Sequence, residues 1–249
     1  MTVKSASAHR WWVLLLALFV LGCGSGSSST PTTETHPTEQ DPGNQNAPLT
    51  LGVDVSHFSG TVTWSDVYGD GYRFAFTKAT EGDDWVDPTL VTNMSGMAEA
   101  GIVRGAYHFY VTSDAPDTQA RNFIDNVSLQ KGDLPPVVDV ESIGTGTDQT
   151  TLATNLRTFL TLLENHYGIK PVIYTDQNFW NANFGSESFA DYKLWLAQYE
   201  VDTPTLPNGW SSWWIWQYAE NQSVAGIEKD VDLNRYPGTL EDLKRETLP

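Results

Sequence analysis

Residues 135–141 read Pro-Pro-Val-Val-Asp-Val-Glu, an apolar run that follows two prolines and carries two carboxylates near its end. Valines after prolines are typical of the start of a strand, and a continuous apolar run favours a strand buried on both faces of a parallel sheet. Side chains two positions apart on a strand point the same way, so Asp139 and Glu141 would share a face with Cα atoms ~6.6 Å apart. The stretch predicts a buried parallel strand with two acids at its carboxyl end.

Seven other runs also read as strands, and helical periods lie between several of them. Apolar stripes with start and stop residues predict helices over 88–100, 115–128 and 149–167. Only short helical patterns follow residue 177, so eight full helices do not fit. The alternation predicts an α/β fold, a TIM-like β/α barrel with about eight strands and fewer helices than strands. The other strand runs are 49–55, 72–79, 103–110, 171–175, 193–198, 213–218 and 230–234.

Polar side chains at the strand ends indicate where the chemistry lies. Reacting groups of a parallel barrel sit at the carboxyl ends of its strands. This rule brings four carboxylates to one mouth, namely Asp54, Asp139, Glu141 and Asp232. The other candidates at the mouth are Tyr107, Tyr174, Gln198, Tyr199 and Gln217.

The pairing of Asp139 with Glu141 suggests acid catalysis. Two carboxylates that close cannot both ionise freely, so one should have a raised pKa and donate a proton while the other stays anionic. Cleavage of a glycosidic bond needs such a pair, an acid for the leaving oxygen and a negative group near the oxocarbenium-like centre. The alternative is a solvent-exposed acidic strand end, which is common in an acidic domain.

Clustered aromatic residues raise the case for a carbohydrate groove. Trp210, Trp213, Trp214, Trp216 and Tyr218 fall within nine positions, and Trp195 lies four residues before Tyr199. Sugar C–H faces stack on aromatic rings, which would place Trp195 among the substrate-binding residues. Packing inside the barrel is the competing explanation for each tryptophan.

Composition excludes several classes of protein. The 249 residues include 14 Lys and Arg against 31 Asp and Glu, a formal net charge of −17. Nucleic-acid binders need the opposite surplus, so no nucleic-acid partner is expected. One cysteine permits neither a disulfide framework nor a cysteine-based zinc site, and the five histidines lack a His-Glu-x-x-His spacing. The sequence therefore predicts no metal and no cofactor.

The first residues predict export. Lys4 and Arg10 precede an apolar run over residues 11–21, which is too short to span a membrane and is typical of a signal peptide. Val20-Leu21-Gly22-Cys23 resembles the lipobox of bacterial lipoproteins, in which the cysteine becomes the lipid-modified first residue. Residues 1–22 are thus predicted to be a signal peptide and Cys23 a lipid anchor. The alternative is ordinary secretion with a spare thiol.

The remaining chain divides into a linker and a folded domain. Residues 23–48 are rich in Ser, Thr and Pro and predict a flexible tether, whereas 49–249 carry the strand and helix patterns. We expect a membrane-anchored monomer in the cell envelope. Gly24 is not the Asp associated with inner-membrane retention, so the outer membrane is expected if the host has one.

Eight motifs taken in order resemble family 25 glycoside hydrolases, the lysozymes that cleave the bond after N-acetylmuramic acid in peptidoglycan. The resemblance spans about 49–237 and implies a flattened, irregular β/α barrel with peptidoglycan glycan strands as partner. The motifs are Leu-Gly-Val-Asp-Val-Ser at 51–56, Phe-Ala-Phe-Thr-Lys-Ala-Thr-Glu-Gly at 74–82, Gly-Ala-Tyr-His-Phe-Tyr at 105–110, Pro-Val-Val-Asp-Val-Glu at 136–141, Pro-Val-Ile-Tyr-Thr at 171–175, Leu-Trp-Leu-Ala-Gln-Tyr at 194–199, Trp-Gln-Tyr at 216–218 and Val-Asp-Leu-Asn at 231–234.

The resemblance also implies roles. It matches Glu141 to the general acid, Asp139 to its partner, and Asp54 and Asp232 to two further acids, with Tyr107 as an active-site tyrosine. Substrate assistance, in which the N-acetyl group of the sugar acts as nucleophile, is the expected mechanism. The segment 58–60, Phe-Ser-Gly, departs from the family, where Gln-Gly is common.

Two other functions fit the same residues. One is a chitinase-like hydrolase of N-acetylglucosamine polymers, and the other is a wall-binding lipoprotein that has lost catalysis. The presence of all four acids favours a catalyst over a binding protein.

Overall fold

The computed structural model describes residues 48–144, 147, 149–185 and 187–249. Their strands are β1 Thr50–Val55, β2 Phe74–Glu81, β3 Trp85–Val86, β4 Val103–Phe109, β5 Val137–Asp139, β6 Val172–Asp176, β7 Lys193–Ala197, β8 Ile215–Gln222 and β9 Val231–Tyr236. Eight of them follow one another in the order β1-β9-β8-β7-β6-β5-β4-β2, and β1 also pairs with β2. That last pairing closes the barrel, with β3 added outside it along β2. The predicted eight-stranded barrel is confirmed.

One strand of the barrel runs against its neighbours. All pairs from β1 through β2, β4, β5, β6 and β7 to β8 are parallel, whereas β9 is antiparallel to both β8 and β1. Asp232 near the start of β9 is therefore in register with Asp54 near the end of β1. The reversed direction brings Asp232 to the same mouth as the carboxyl ends of the other strands.

The helices are fewer than the strands, as the sequence predicts. Six α-helices lie in the described residues, and a 3-10 turn spans His57–Ser59. The two helices after residue 176 have 7 and 5 residues, which agrees with the short patterns expected there. The helices are α1 Trp64–Gly69, α2 Leu90–Ala100, α3 Pro116–Asn126, α4 Gln149–Tyr167, α5 Gln177–Asn183 and α6 Leu240–Lys244.

Large aromatic side chains fill the barrel below the mouth. Phe74, Phe76 and Trp195 are buried, and the rings of Phe76 and Trp195 stack with centroids 4.5 Å apart. Two strand glycines make room for them. A Cβ at Gly52 would lie 2.4 Å from the Phe74 ring, and one at Gly105 would lie 2.4 Å from the Phe76 ring. Any larger residue at either position would displace these rings.

The helices cover the outer face of the barrel in two clusters. Beneath α3 and α4, Phe123 and Phe159 pack with Ile173 of β6. His108 lies among them fully buried, with Thr80 and Gln119 against its two ring nitrogens, and burial lowers its pKa to about 3. This histidine is thus a neutral, hydrogen-bonded core residue. The second cluster joins α1 and α2 to β1 and β9.

Several predicted boundaries move. The strand predicted over 137–141 ends at Asp139, and the run predicted from 213 begins at Ile215 and continues to Gln222. The helix predicted over 149–167 has those bounds. The predicted signal peptide, Cys23 and nearly all of the linker fall on residues 1–47, outside the described residues. No helix of the described chain has the length and hydropathy needed to cross a membrane.

Candidate active site

A pocket of about 190 Å³ opens at the mouth of the barrel, at the carboxyl ends of the parallel strands. Seven of the nine lining residues lie on seven different strands, and Glu141 and Tyr199 each follow the end of a strand by two positions. All nine are among the site residues predicted from the sequence. The pocket is lined by Asp54, Tyr107, Asp139, Glu141, Tyr174, Trp195, Tyr199, Gln217 and Asp232.

Backbone hydrogen bonds on both sides hold the acid pair beyond the end of β5. The Tyr110 N–H donates to the carbonyl of Asp139 across 2.9 Å, and the Val140 N–H donates to the carbonyl of Tyr174 across 3.0 Å. The chain therefore stays extended between its two neighbours after the strand ends. Asp139 and Glu141 both reach the pocket for this reason.

Asp139 is buried, and one of its carboxyl oxygens lacks a hydrogen-bond donor among the described residues. It is 8% exposed, and its Oδ1 accepts no hydrogen bond from any described residue. Burial and the neighbouring charge of Glu141 raise its pKa well above the ordinary value, while the ammonium group of Lys78 acts in the opposite direction. A buried acceptor without a donor is unfavourable in the empty site and can be satisfied by a donor on a bound molecule.

Glu141 stands at the rim. The residue as a whole is exposed, but desolvation of its carboxyl by the walls of the mouth and the charge of Asp176 raise its pKa. Lys78 again acts in the opposite direction. A carboxyl with a raised pKa that still meets solvent can give and take protons, as a general acid requires.

The opposite wall carries the other two acids. Oδ2 of Asp54 accepts hydrogen bonds from Asn234 across 2.7 Å and from Gln217 across 2.9 Å. Burial and the charge of Asp232 raise the pKa of Asp54 to about 8 against these bonds. Asp232 accepts from the Asn221 N–H across 3.3 Å, and desolvation raises its pKa as well.

Gln217 joins three sides of the pocket and is 2% exposed. Its Oε1 accepts from the hydroxyls of Tyr174 and Tyr199, across 2.8 and 2.5 Å, while its Nε2 faces Asp54 and Asp232. The NH₂ end of the amide, which can only donate, faces the carboxyl oxygens of the two acids, and the oxygen end, which can only accept, faces the two tyrosine hydroxyls.

Trp195 and Gln198 are both predicted from the sequence to line the site, but only Trp195 lines the pocket. The indole of Trp195 forms part of the pocket floor, and its Nε1–H donates to Asn234 across 2.8 Å. Gln198 does not line the pocket, since its side chain accepts from the Thr205 N–H in the loop after β7. Trp214 and Trp216 are also buried, so they serve packing rather than a sugar-binding surface.

Two further residues beside the pocket, Lys78 and Asn234, are not among the site residues predicted from the sequence. Lys78 is 8% exposed, and its Nζ lies 2.5 Å from Glu81. Strand alternation could have indicated it, because Lys78 stands two residues after Phe76 and four after Phe74 on β2 and therefore shares their inward face. Asn234 stands two residues beyond Asp232 and so shares its face, which is the same signal.

The other cavities and side-chain clusters of the described residues do not offer a better candidate for the active site. A larger cleft of about 700 Å³ includes Arg104, Asp133 and Leu248, but Arg104 and Asp133 pair with each other across 2.7 Å. Among the described residues no group of three His, Cys, Asp or Glu side chains is arranged to hold a metal ion. The mouth pocket, by contrast, brings four carboxyls together.

The profile of glycosyl hydrolases family 25 matches residues 53–227, which include Asp54, Asp139 and Glu141. The chain belongs to this family. It is therefore a glycoside hydrolase, and the family predicted from the eight motifs is confirmed.

The relatives of this family 25 hydrolase include enzymes from bacteria and fungi. It is 36% identical to lysozyme M1 of Streptomyces globisporus over 203 residues, and the matched region covers 77% of this chain and 69% of that protein. It is 28% identical to an N,O-diacetylmuramidase of Chalaropsis sp, across 78% of this chain and 97% of that one. The solved bacterial lysozyme from Streptomyces coelicolor superimposes with a TM-score of 0.76 at 33% identity, covering 80% of this chain and 96% of that one.

Proposed function

We propose that this family 25 hydrolase cleaves the β-1,4 bond between N-acetylmuramic acid and N-acetylglucosamine in peptidoglycan. The observation that carries the proposal is the pair of raised-pKa carboxyls, Asp139 and Glu141, at the barrel mouth of a chain whose relatives include lysozymes and muramidases. Peptidoglycan glycan strands are the proposed partner.

Glu141 is the proposed general acid. Its protonated carboxyl gives its proton to the glycosidic oxygen as the C1–O bond breaks, which makes the leaving sugar a neutral alcohol. The raised pKa keeps part of this carboxyl protonated at higher pH than an ordinary glutamate, and its place at the rim lets it meet the scissile bond.

Asp139 is the proposed partner in substrate assistance. Its unpartnered Oδ1 can accept the N–H of the sugar's 2-acetamido group. The acetamido oxygen then forms a bond to C1 as the leaving oxygen departs. Water next attacks C1 and breaks its bond to the acetamido oxygen while the Glu141 carboxylate takes a proton from the water. The two substitutions at C1 give net retention, and detection of the inverted anomer by NMR would contradict this mechanism.

The remaining polar lining positions the sugar. We propose that Asp54 and Asp232 accept hydrogen bonds from its hydroxyl or amide groups, and that Tyr107, Tyr174, Tyr199 and Gln217 shape the same subsite with Trp195 beneath. Gln198 would contact the sugar only after its side chain releases the Thr205 N–H.

Glu141→Gln tests the function directly. Purified peptidoglycan is digested, the products are reduced with borohydride, and the terminal sugar alcohol is identified. The unmodified enzyme should yield muramitol, while Glu141→Gln should yield almost none and should unfold at the same urea concentration. Glu99→Gln, an exposed acid on α2, is the matched control and should behave like the unmodified enzyme.

The same assay separates the alternatives. Glucosaminitol from peptidoglycan, or faster turnover of chitin oligomers, would contradict the muramidase proposal and favour a chitinase-like enzyme. Binding of peptidoglycan without any new reducing ends would favour a wall-binding protein.

We also propose an envelope lipoprotein with its anchor at Cys23, a tether to residue 48 and a folded, monomeric domain from residue 49. The support is the sequence alone: the short apolar run, the lipobox-like tetrapeptide and the single cysteine. Cys23→Ser should move the protein from the membrane fraction to the soluble fraction, and an unchanged distribution would contradict the anchor. Light scattering of the domain measures whether it is a monomer.

A further inference from the structure

An aromatic surface lies beside the mouth and outside the pocket. Phe58 is 71% exposed, the ring of His57 lies 3.9 Å from its centroid, and Trp85 lies 5.2 Å from His57 on the other side. We call these three residues the aromatic platform. Phe58 is exposed, whereas His57 and Trp85 are half-buried, and a large aromatic side chain exposed to this extent is unusual because large apolar side chains favour burial.

The platform is held in place from below. His57 donates its backbone N–H to Oδ2 of the buried Asp87, and its Nδ1 lies 2.8 Å from the same oxygen. The 3-10 turn that presents Phe58 has a capping box. Oγ of Ser59 accepts from the Ser56 N–H across 3.1 Å, and Oγ of Ser56 accepts from the Phe58 N–H across 3.2 Å. The exposed ring is therefore presented by a fixed turn, which lowers the entropy lost when a ligand stacks on it.

The platform continues the wall of the pocket. Nζ of Lys78 lies 5.0 Å from the Trp85 ring and 4.8 Å from the Phe109 ring. Lys78 is paired in register with Tyr107, which lines the pocket. On the β1 side, the turn begins at His57, three residues after Asp54. Pocket and platform are thus joined by neighbouring side chains on both β1 and β2.

The small size of the pocket indicates what the platform is for. At about 190 Å³ it lies below the ~300–1,000 Å³ of sites that enclose a whole drug-sized ligand. A glycan polymer must leave the pocket and cross the surface beside it. The C–H face of a pyranose ring matches an open aromatic face. Asp83 and Asp84, exposed beside Trp85, would repel the acidic groups of the same polymer, which favours contact through the uncharged face of a sugar ring.

We propose that the aromatic platform is an additional sugar subsite, in which the exposed face of Phe58 stacks on a pyranose ring of the strand whose other end is cleaved in the pocket. The inference rests on the proposed function, since it takes peptidoglycan glycan as the substrate. It assigns a substrate contact to the segment 58–60, where the sequence departs from the family.

Chain-length dependence tests the platform. Peptide-free oligosaccharides of the alternating glycan are supplied as tetrasaccharide and octasaccharide, and kcat/KM is measured for each. Phe58→Ala should lower the octasaccharide-to-tetrasaccharide ratio of kcat/KM by about fivefold, the effect of one lost aromatic contact. Phe58→Tyr should keep the ratio. Val91→Ala, which truncates a 75% exposed apolar side chain on α2, should leave both rates unchanged.

A binding measurement separates this proposal from the parent one. In Glu141→Gln enzyme, calorimetry should show that adding Phe58→Ala weakens octasaccharide binding by about fivefold. Equal ratios for Phe58→Ala and the unmodified enzyme, or equal losses on both substrates, would overturn the platform while leaving the muramidase intact. No cleavage of either oligosaccharide by the unmodified enzyme would overturn the proposed function, and the platform with it.

Discussion

The amide of Gln217 donates to Oδ2 of Asp54 across 2.9 Å, from the strand on the far side of β9. The same amide accepts from two tyrosine hydroxyls. One neutral side chain therefore sets the orientation of an acid on one wall and of two phenols on the other. The amide oxygen depends on those phenols for its donors, which leads to the first prediction.

Tyr174→Phe and Tyr199→Phe should not act additively. Either hydroxyl alone still donates to the buried oxygen of the Gln217 amide, so each single change should lower kcat/KM by about threefold to tenfold. Removing both takes away both of these donors and leaves that oxygen with an unmet hydrogen bond, so the double variant should lose clearly more than the product of the single losses. A double-mutant cycle on peptidoglycan measures this coupling, and additive losses would contradict it.

Asp54→Asn should stabilise the fold at neutral and alkaline pH. The folded protein holds the Asp54 proton up to a pKa of about 8, compared with 3.8 for the ordinary group. Between these values the folded state binds more protons than the unfolded chain, so the stability contributed by the protonated group is full at low pH and is lost as pH rises through about 8. The asparagine should raise the free energy of unfolding at pH 8 by about 1 kcal/mol and should lower activity.

Urea unfolding at pH 5 and pH 8 measures the effect of Asp54→Asn. The gain should be larger at pH 8, and Asp202→Asn, at an exposed loop position, should show no such difference. A gain that is equal at both pH values would mean that titration of Asp54 does not cause it.

Lys78→Met should move the alkaline limb of the activity profile. The ammonium group of Lys78 lowers the pKa values of Asp139 and Glu141, so its removal should raise both further. Activity that needs protonated Glu141 is lost as pH rises through its pKa, and that loss should shift to higher pH in the variant. The pH dependence of kcat/KM tests this, with the exposed Lys229→Met as control. A shift to lower pH would contradict the assignment of the acid.

Gly52→Ala should destabilise the barrel by about 1–3 kcal/mol, as overpacking does in other cores. The new Cβ would meet the Phe74 ring at 2.4 Å. Gly69→Ala is the matched control, since a Cβ there meets no atom within 4 Å and the residue ends α1. Urea unfolding of both variants, and rescue of Gly52→Ala by Phe74→Leu, checks the packing. Equal stability of Gly52→Ala and Gly69→Ala would contradict it.

The sequence predicted most of what lies on the parallel strands. Continuous apolar runs mark buried strands, and the carboxyl-end rule then places Asp54, Asp139, Tyr174 and Gln217 at one mouth. The helix α4 was found to the residue because its stripe is long and Gly168 follows it. These features are local, so a local pattern predicts them.

The features that were missed depend on partners distant in sequence. Nothing in the residues of β9 states that both neighbours run against it, although that reversal is what brings Asp232 to Asp54. Gln198 and Gln217 both stand near the end of a tryptophan-bearing run, but the backbone after Gln198 turns at Glu200, with φ +56, and the Gln198 side chain meets Thr205. The helix α1, with six residues, and the strand β3, with two, are too short to show a period.

The barrel has two poles, and β1 enters it at Thr50, the pole remote from Asp54. The described chain therefore begins at the side of the barrel opposite the pocket. An anchor at Cys23, as proposed, would hold the domain from that side and leave the mouth open to an approaching glycan strand.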